Sequence, residues 1–466
     1  TESNGQHAEW CRSFTSDNSV KFYDSSVTSI DTGIVNSPAS DARSCYALDT
    51  NGLLWGTSDS HNTGQLARGG LTDISDEDTD TNAGETAEVL LSQKRDELAS
   101  SIYNYSATSS NRLKVPHVMN PLATATGVLT TNPATATGFK VTFTKAIAVG
   151  GNVHNVIAAV GSDGLIYTAG YNGAGACGAG NTIDQLHWNI VKTATGAPLN
   201  NVVEIYGRGY NPTLFAKTAN GDIYGWGYNG AYELGDGTPT NRTTAIRIWD
   251  AVAKGASAKM YTSGSGAISG ALGGVSYIVT EHSQPQLWAA GSSNHYGPGQ
   301  QGDIEDVVYT TWKRVTSGPW NTATHTVQDF YNCGGQATHA NPNYCIALNN
   351  ATAKLELWVT GYGGEGATGI TYSGQGTTTF TKAGGHEAST TKWERIRYIN
   401  DRFLRKVVDI YPMHQNNTHW YSTWHQHTIH LNDGRLFGVG RWPYGGLKDP
   451  YADDYFYKWQ ELNTLA

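Results

Sequence analysis

The stretch GDIYGWGYNGAYELGDG, from Gly221 to Gly237, decides the fold. It contains six glycines, three tyrosines and one tryptophan within seventeen residues. Ile223 to Trp226 alternate with the period of two that is typical of a β-strand. The flanking glycines suit tight turns, because glycine adopts positive φ angles at little cost. A flexible linker has no use for so many aromatic residues, so we interpret the aromatics as filling between packed sheets and the glycines as turn and close-packing residues.

The same apolar and aromatic core recurs along the chain. Six copies align on Trp55, Tyr167, Tyr224, Trp288, Trp358 and Phe437. Successive copies are 112, 57, 64, 70 and 79 residues apart. Each core has two strand-like segments before it and one segment with a large apolar residue after it. For the first unit, FKVTFT at residues 139–144 is the expected fourth strand.

Six sets of four short strands account for most of the chain and predict an all-β protein. A four-stranded antiparallel sheet cannot bury both of its faces alone, whereas sheets stacked radially around an axis cover one another. We therefore predict a β-propeller with six four-stranded antiparallel blades. The 112-residue spacing leaves room for a seventh.

The stretch from Gly221 to Gly237 also resembles the signature of the regulator-of-chromosome-condensation (RCC1-like) repeat family, G-x-(I/V)-(Y/W)-x-W-G-x-N-x-x-G-x-L-G-x-G. GLIYTAGYNGAGACGAGN and GLLWGTSDSHNTGQLARGG match it more loosely, and the last three units keep only its first half. The resemblance, which spans Val27 to Leu462, implies a β-propeller, and the best-known member of the family has seven blades. Members of the family activate a small GTPase by nucleotide exchange, assist ubiquitin transfer or inhibit a β-lactamase. No residue of those activities carries over, because the matching positions are structural glycines and aromatics.

Residues 71–138 lack the repeat core, and we predict that they form an insertion within the first blade of a propeller spanning residues 27–466. Within the insertion, ETAEVLLSQKRDELASSIY at residues 85–103 is a predicted helix, because its apolar residues recur at roughly helical spacing. Residues 1–26 are predicted to be an arm or an extra closing strand.

The composition excludes several classes of function. The chain has 31 Lys and Arg against 40 Asp and Glu, a net charge of −9. Nucleic acids and anionic membranes require a basic footprint, so neither is an expected partner. The sequence has no run of eighteen apolar residues, which argues against membrane insertion. It also lacks the motifs of nucleotide, dinucleotide, zinc-protease and serine-hydrolase sites, so we expect no cofactor and no enzyme activity.

Two groups of residues have the spacing of metal ligands. Asp76, Asp78 and Asp80 place carboxylates at alternate positions, as in a calcium loop, but the glycine and the final glutamate of such a loop are missing. They form either a weak calcium site or a solvated acidic loop. His425 and His427 would share one face of a strand. They are either metal ligands or packed histidines, and no third ligand is evident.

Two segments near the end of the chain are unusually aromatic. MHQNNTHWYSTWHQH contributes Trp420, Tyr421 and Trp424, and RWPYGGLKDPYADDYFY contributes Trp442 and Tyr444. Rigid aromatic rings bury a large area at small entropic cost. These residues either form a platform for a sugar ring or a protein partner, or pack against a neighbouring blade.

The five cysteines show no metal-type spacing. Cys333 and Cys345 bracket a predicted hairpin turn. They are either joined by a disulfide across that hairpin or are two buried thiols.

Richness in Thr, Asn, Gly, Ser and Tyr, with few Lys and Met, is the composition that we expect of an extracellular or virion-surface protein. We expect a non-enzymatic binding or structural module, such as a phage tail, decoration or host-attachment protein. Its loops would meet a receptor, a glycan or a neighbouring subunit. The alternatives are a regulatory protein-interaction propeller, such as a GTPase exchange factor or a protein inhibitor, and a secreted bacterial adhesin.

Overall fold

A computed structural model describes fourteen parts of the chain. These are residues 27–31, 44–58, 67, 94–99, 117–149, 155–208, 211–263, 274–292, 308–332, 342–361, 369–370, 390–415, 424–442 and 454–462.

The first half of the chain forms three four-stranded antiparallel sheets, in each of which the strands lie side by side in chain order. Sheet 1 contains β1 (Val27–Asp31), β2 (Ser44–Asp49), β3 (Leu54–Ser58) and β4 (His117–Val118). Sheet 2 contains β8 (Phe143–Val149), β9 (Val156–Gly161), β10 (Ile166–Gly170) and β11 (Gln185–Ile190). Sheet 3 contains β12 (Val202–Arg208), β13 (Thr213–Thr218), β14 (Ile223–Gly227) and β15 (Arg242–Trp249).

The second half repeats this topology three times. Sheet 4 contains β16 (Ala258–Ser263), β17 (Val275–Thr280), β18 (Leu287–Ser292) and β19 (Val308–Arg314). Sheet 5 contains β20 (His325–Asn332), β21 (Asn343–Asn349), β22 (Lys354–Gly361) and β23 (Thr390–Ile396). Sheet 6 contains β24 (Val407–Gln415), β25 (Trp424–Leu431), β26 (Leu436–Trp442) and β27 (Asp454–Leu462).

The remaining elements connect these sheets. A small three-stranded sheet follows sheet 1 and is formed by β5 (Leu122–Ala123), β6 (Leu129–Thr130) and β7 (Gly138–Phe139). Short helices at Ala251–Lys254 and Asp401–Leu404 and 3-10 turns at Pro133–Thr135 and Gly318–Trp320 lie between strands, and residues 94–99 are also helical. None of the described helices is both long enough and apolar enough to cross a membrane.

The six sheets are arranged as the blades of a β-propeller. The first strand of each sheet is an edge strand, and the first strands of consecutive sheets contact each other, so these strands lie innermost. Five clusters of buried apolar residues each join one sheet to the next, from sheets 1 and 2 to sheets 5 and 6. The prediction of six four-stranded blades is therefore confirmed.

The structure corrects the predicted end of the first blade. We expected residues 139–144 to form its fourth strand, but that place is taken by β4, which pairs Val118 with Trp55. Phe143 instead begins the first strand of sheet 2. β4 has only two residues, which is too short for an alternating pattern to reveal it.

β4 also lies within the predicted insertion, residues 71–138. The chain between β3 and β4 connects the third and fourth strands of sheet 1, whereas β5, β6 and β7 lie on the path to sheet 2. In the predicted helix, residues 94–99 are helical and the rest lies outside the described residues, as do residues 1–26. The domain boundaries stay a prediction.

A repeated glycine lies near the end of the third strand in sheets 2 to 6. In five sheets it occupies the same register position beside a shift in pairing, at Gly170, Gly227, Gly291, Gly361 and Gly440. At Gly227, φ is +93° and an added Cβ would lie 2.4 Å from the carbonyl oxygen of Pro212. Only glycine tolerates that backbone conformation and that approach.

Each described loop between a third and a fourth strand reaches the following blade. Gly180 donates to the carbonyl of Thr243 in sheet 3, and Gly237 donates to the carbonyl of Thr310 in sheet 4, both at 2.9 Å. Buried Asn229 organises the second of these loops, since its amide donates to the carbonyl of Thr238 at 2.7 Å. The signature stretch therefore both turns its own blade and fastens the next one.

Candidate functional site at the axial mouth

The two ends of the propeller differ. We call the end at which second strands turn into third strands the turn face, and the opposite end the loop face. On the turn face, the innermost strands surround the opening of the central channel, which we call the axial mouth. Its key positions are Lys145, Glu204, Lys259, Asp329 and Asp409, which occupy one register position of the first strand in sheets 2 to 6.

Some charges at the axial mouth are neutralised by neighbours. Lys145 forms an ion pair with Glu204 across sheets 2 and 3. Lys217 of sheet 3 pairs with Glu281 of sheet 4, which also accepts a hydrogen bond of 2.9 Å from the hydroxyl of Ser257. These pairs hold neighbouring blades together and leave little net charge on that side.

The other three charged residues of the ring differ from these pairs. Lys259, Asp329 and Asp409 are exposed, and none of them belongs to an ion pair within the described parts of the chain. One oxygen of Asp409 accepts a hydrogen bond of 2.8 Å from the backbone of Ile410. This side of the mouth thus carries two carboxylates and one ammonium group.

These three residues line one cavity, which has a volume of about 550 Å³ and lies between sheets 4, 5 and 6. The phenol rings of Tyr261 and Tyr331 form part of its walls, and Val279, Pro285 and Ile410 add apolar surface. Glu281 completes the polar lining. A concave site with apolar walls and a few converging polar groups is the usual form of a binding site.

Burial and neighbouring charges shift the pKa values in the cavity. Asp329 keeps an exposed surface, but the cavity walls partly desolvate its carboxyl group and raise its pKa; the charge of Lys259 opposes this shift, and that of Asp409 adds to it. Burial followed by the charge of Asp329 also raises the pKa of Tyr331, which therefore keeps its proton at neutral pH. Burial acts on Glu281 in the same direction, but the hydrogen bonds from Lys217 and Ser257 outweigh it and lower its pKa.

Exposed apolar residues lie beside the ring of charges. Val203 is 44 % exposed and precedes Glu204, and Val408 is 55 % exposed and precedes Asp409. Both sit where the strand pairing shifts by one residue. Such a bulge leaves a residue outside the ladder.

Two of the five aromatic residues predicted from the sequence are described, and both lie at the loop face. Trp424 begins β25 and Trp442 ends β26, and the pairing of Gln426 with Gly440 puts both at the same end of sheet 6. Trp420, Tyr421 and Tyr444 lie outside the described residues. A binding role for these five residues stays a prediction.

The two predicted metal sites stay predictions. Asp76, Asp78 and Asp80 lie outside those parts. His427 is fully buried and its ring packs edge-on against Tyr344, with ring centroids 5.6 Å apart. The described residues contain no cluster of three or more metal-ligating side chains.

The predicted disulfide also stays a prediction. Cys345 is fully buried in β21, and the residue opposite it in register is Phe330. Cys333 lies outside the described residues.

The residues of the axial mouth were not among the predicted site residues, although the sequence contains a signal for them. The first strands of sheets 3, 5 and 6 read VVEIY, VQDFY and VVDIY, each with an acidic residue two positions before a tyrosine. An acidic residue on an innermost strand of a closed ring must face either the channel or another charge. Only the pairing of the strands shows that these acidic residues occupy the same register position in their sheets.

Comparison with solved structures supports the same fold. No protein-family model matches the chain. Human WBSCR16 aligns with a TM-score of 0.50 at 13 % sequence identity, covering 95 % of this chain and 83 % of that one. Yeast RCC1 (Prp20), in its complex with Kap60, aligns with a TM-score of 0.52 at 14 % identity over 94 % and 75 % of the two chains.

A second structure of this yeast protein aligns equally well. Prp20p from Saccharomyces cerevisiae, described together with its binding to Gsp1p and histones, has a TM-score of 0.51 at 15 % identity. That alignment covers 94 % of this chain and 77 % of Prp20p. The six blades, the fastening loops and these alignments agree, and the chain has the fold of an RCC1-like β-propeller.

Proposed function

We propose that this protein is a regulatory protein-interaction propeller that binds its partner at the axial mouth. The observation that carries the proposal is the exposed combination of Lys259, Asp329 and Asp409 with Val203 and Val408 on the innermost strands. Charged and apolar groups side by side are typical of a protein interface. The fold itself does not require exposed valines and charges at these positions, because buried apolar clusters already join the blades.

The structural neighbours support this class of function by analogy of fold. The yeast neighbour forms a complex with Kap60 and is described as binding Gsp1p and histones. One fold supports many functions, so the analogy favours protein binding and names no partner for this chain. Nucleotide exchange on a GTPase and inhibition of an enzyme both remain specific forms of the proposal. In neither form does this protein itself carry out catalysis on a small-molecule substrate.

The test is to identify the partner and then to reverse the charges at the axial mouth. The purified protein is cross-linked in an extract of its source, and cross-linked peptides are identified by mass spectrometry. The partner is then purified and its affinity is measured against the wild type and the double variant Asp329→Lys, Asp409→Lys. We expect a loss of at least tenfold, because reversed charge at an interface core opposes docking.

A matched control places the same charge reversal elsewhere. Asp433 lies in a turn of sheet 6 and pairs with Lys406 and Arg435. Asp433→Lys should leave the affinity unchanged. Equal binding by the wild type and the double variant would refute binding at the axial mouth.

A second proposal concerns the loop face. Trp424 and Trp442 lie at the same end of sheet 6, which favours a shared aromatic platform for a glycan or a neighbouring subunit. This would suit a protein on an extracellular or virion surface. The test measures binding to intact host cells and to a glycan array by the wild type and by the double variant Trp424→Ala, Trp442→Ala. Absence of binding by the wild type would refute this second proposal.

A further inference from the structure

We propose that the cavity between sheets 4, 5 and 6 receives one organic monocation, a guanidinium or alkylammonium group, between Asp329 and Asp409. In the full assembly this group is an arginine or lysine side chain of the bound partner, so the inference rests on the proposed protein-binding function. It adds the chemistry of the group that enters the mouth.

The charge count in the cavity selects a cation. Two carboxylates, Asp329 and Asp409, face one ammonium group, that of Lys259, and Glu281 is already paired with Lys217. The lining therefore carries one uncompensated negative charge. A single positive charge restores neutrality, whereas an anionic ligand would meet two carboxylates with one lysine to offset them.

The walls select an organic group over a bare ion. Tyr261 and Tyr331 present ring surfaces and hydroxyls, and Pro285 and Val279 present apolar surface. Neither hydroxyl makes a hydrogen bond to another described residue. A guanidinium or alkylammonium group on an alkyl chain uses both surfaces, because its head pairs with carboxylates while its stem packs on rings.

The volume of the cavity fits this occupant. About 550 Å³ is within the range of small-molecule sites and far exceeds what one metal ion with its ligands requires. Lys259, Asp329 and Asp409 of its lining are exposed, so a side chain from outside the propeller can reach the two carboxylates. Val203 and Val408, on the same ring of strands, would then contact the backbone that carries the entering side chain.

A titration with capped amino acids tests the inference without a protein partner. N-acetyl-arginine-methylamide and N-acetyl-lysine-methylamide are added to the full chain, and binding is followed by ligand-detected NMR. N-acetyl-glutamine-methylamide is the neutral control ligand, and magnesium chloride tests for a bare cation. We expect saturable millimolar binding of the two cationic ligands and none of the neutral one.

Substitutions then locate the site. Asp329→Asn and Asp409→Asn should each weaken arginine binding at least fivefold, while leaving the thermal unfolding midpoint within a few degrees of the wild type. Glu204→Gln is the matched control, because Glu204 holds the same register position but is paired with Lys145 and is not part of the cavity lining. It should bind arginine like the wild type.

Binding should also depend on pH in a defined direction. The groups facing Asp329 are Lys259, Asp409, Glu281, Tyr261 and Tyr331. A bound cation favours ionised Asp329, so affinity should fall as the pH drops and that carboxyl takes up a proton. Asp329→Asn should flatten this pH dependence.

The outcomes separate the inference from the proposed function. Failure of both cationic ligands to bind, equal binding by Asp329→Asn, or saturation by magnesium alone overturns the inference. A partner cross-linked at the mouth whose affinity survives replacement of all its interfacial Arg and Lys residues also overturns it, while the proposed function stands. A partner that binds only at the loop face overturns the proposed function, whatever the capped amino acids show.

Discussion

The indole Nε1 of Trp226 donates a hydrogen bond of 2.8 Å to the carbonyl oxygen of Ala176 in the neighbouring blade. Trp226 ends the aromatic core of the signature stretch, and both residues are fully buried. The Trp226 side chain thus fills space between sheets 2 and 3. It also donates a hydrogen bond to the backbone of Ala176, which lies in a loop between β10 and β11 and outside the strand pairing. The tryptophan of the repeat signature is therefore a bond between blades as well as a core residue.

Replacing this tryptophan tests that bond. Trp226→Phe keeps an aromatic ring but leaves the buried carbonyl of Ala176 without its donor. We expect the free energy of unfolding, measured by chemical denaturation, to fall by about 1–3 kcal/mol. Trp320→Phe is the control, because Trp320 is equally buried and its Nε1 has no hydrogen-bond partner among the described residues. The interpretation fails if the two substitutions cost the same.

The glycine at the end of the third strand should resist any side chain. Gly227→Ala adds a Cβ that would lie 2.4 Å from the carbonyl oxygen of Pro212, at a φ of +93°. Gly434→Ala has a similar φ of +83° but no atom within 4 Å of the added Cβ. Gly434→Ala should lose about 1–2 kcal/mol of stability through backbone strain alone. Gly227→Ala should lose clearly more, because the added Cβ also meets the carbonyl of Pro212. Thermal or chemical denaturation measures both, and equal losses would show that the close approach is unimportant.

A buried glutamate should make stability depend on pH. Glu233, in the loop between β14 and β15, is 3 % exposed. Its Oε2 accepts a hydrogen bond from the backbone of Ala231, and its buried Oε1 has no hydrogen-bond partner in the part of the chain that the structure describes. Burial raises its pKa from 4.5 to about 8, against the lowering effect of backbone hydrogen bonds. Between these values the native state holds a proton that the unfolded state has released. This group alone should therefore reduce stability by about 1.4 kcal/mol for each pH unit of increase in that window.

Glu233→Gln should remove this slope. The difference in unfolding free energy between wild type and variant is measured from pH 4 to pH 9, so that all other titrating groups cancel. The variant should gain relative to the wild type as the pH rises from 4.5 to 8, with no further change above. A difference that stays constant across the range would show that Glu233 is ionised in the folded protein at neutral pH.

Alkylation distinguishes the alternatives for the cysteines. Burial raises the pKa of the Cys177 and Cys345 thiols, so neither should react with iodoacetamide in the native protein. After denaturation without reductant, Cys177 should be alkylated and serves as the positive control. Alkylation of Cys345 under the same conditions identifies a free thiol, whereas protection that is lost on reduction identifies the disulfide with Cys333. Mass spectrometry of the tryptic peptides measures both.

The fold could be predicted because each blade repeats a local pattern. Strand alternation around Tyr224 and Trp226, followed by glycine, needs no information from distant residues. The fourth strand of sheet 1 could not be predicted in this way, since His117 and Val118 acquire their strand pairing only through contact with β3. An alternating pattern cannot be recognised in a strand of two residues.

The candidate site required the assembled ring. Asp329 and Asp409 are 80 positions apart in the sequence, and each alone is an ordinary acidic residue within a strand. The arrangement of the blades around the axis brings both aspartates into the lining of one cavity, where Lys259 is the one lysine among the lining residues. Trp424 and Trp442, from the aromatic segments that stood out in the sequence, instead lie at the opposite end of the propeller. Composition marks a segment, but the pairing of strands decides which face it occupies.

The order of charges around the axis has a further consequence. From sheet 2 to sheet 6 the signs run plus, minus, plus, minus, minus, so the only neighbours of like sign in this series are Asp329 and Asp409. Six similar blades would otherwise offer a visitor six nearly equivalent azimuths. This mismatch breaks the pseudosymmetry of the series, and a cationic group that docked along the axis would be drawn to the side of Asp329 and Asp409.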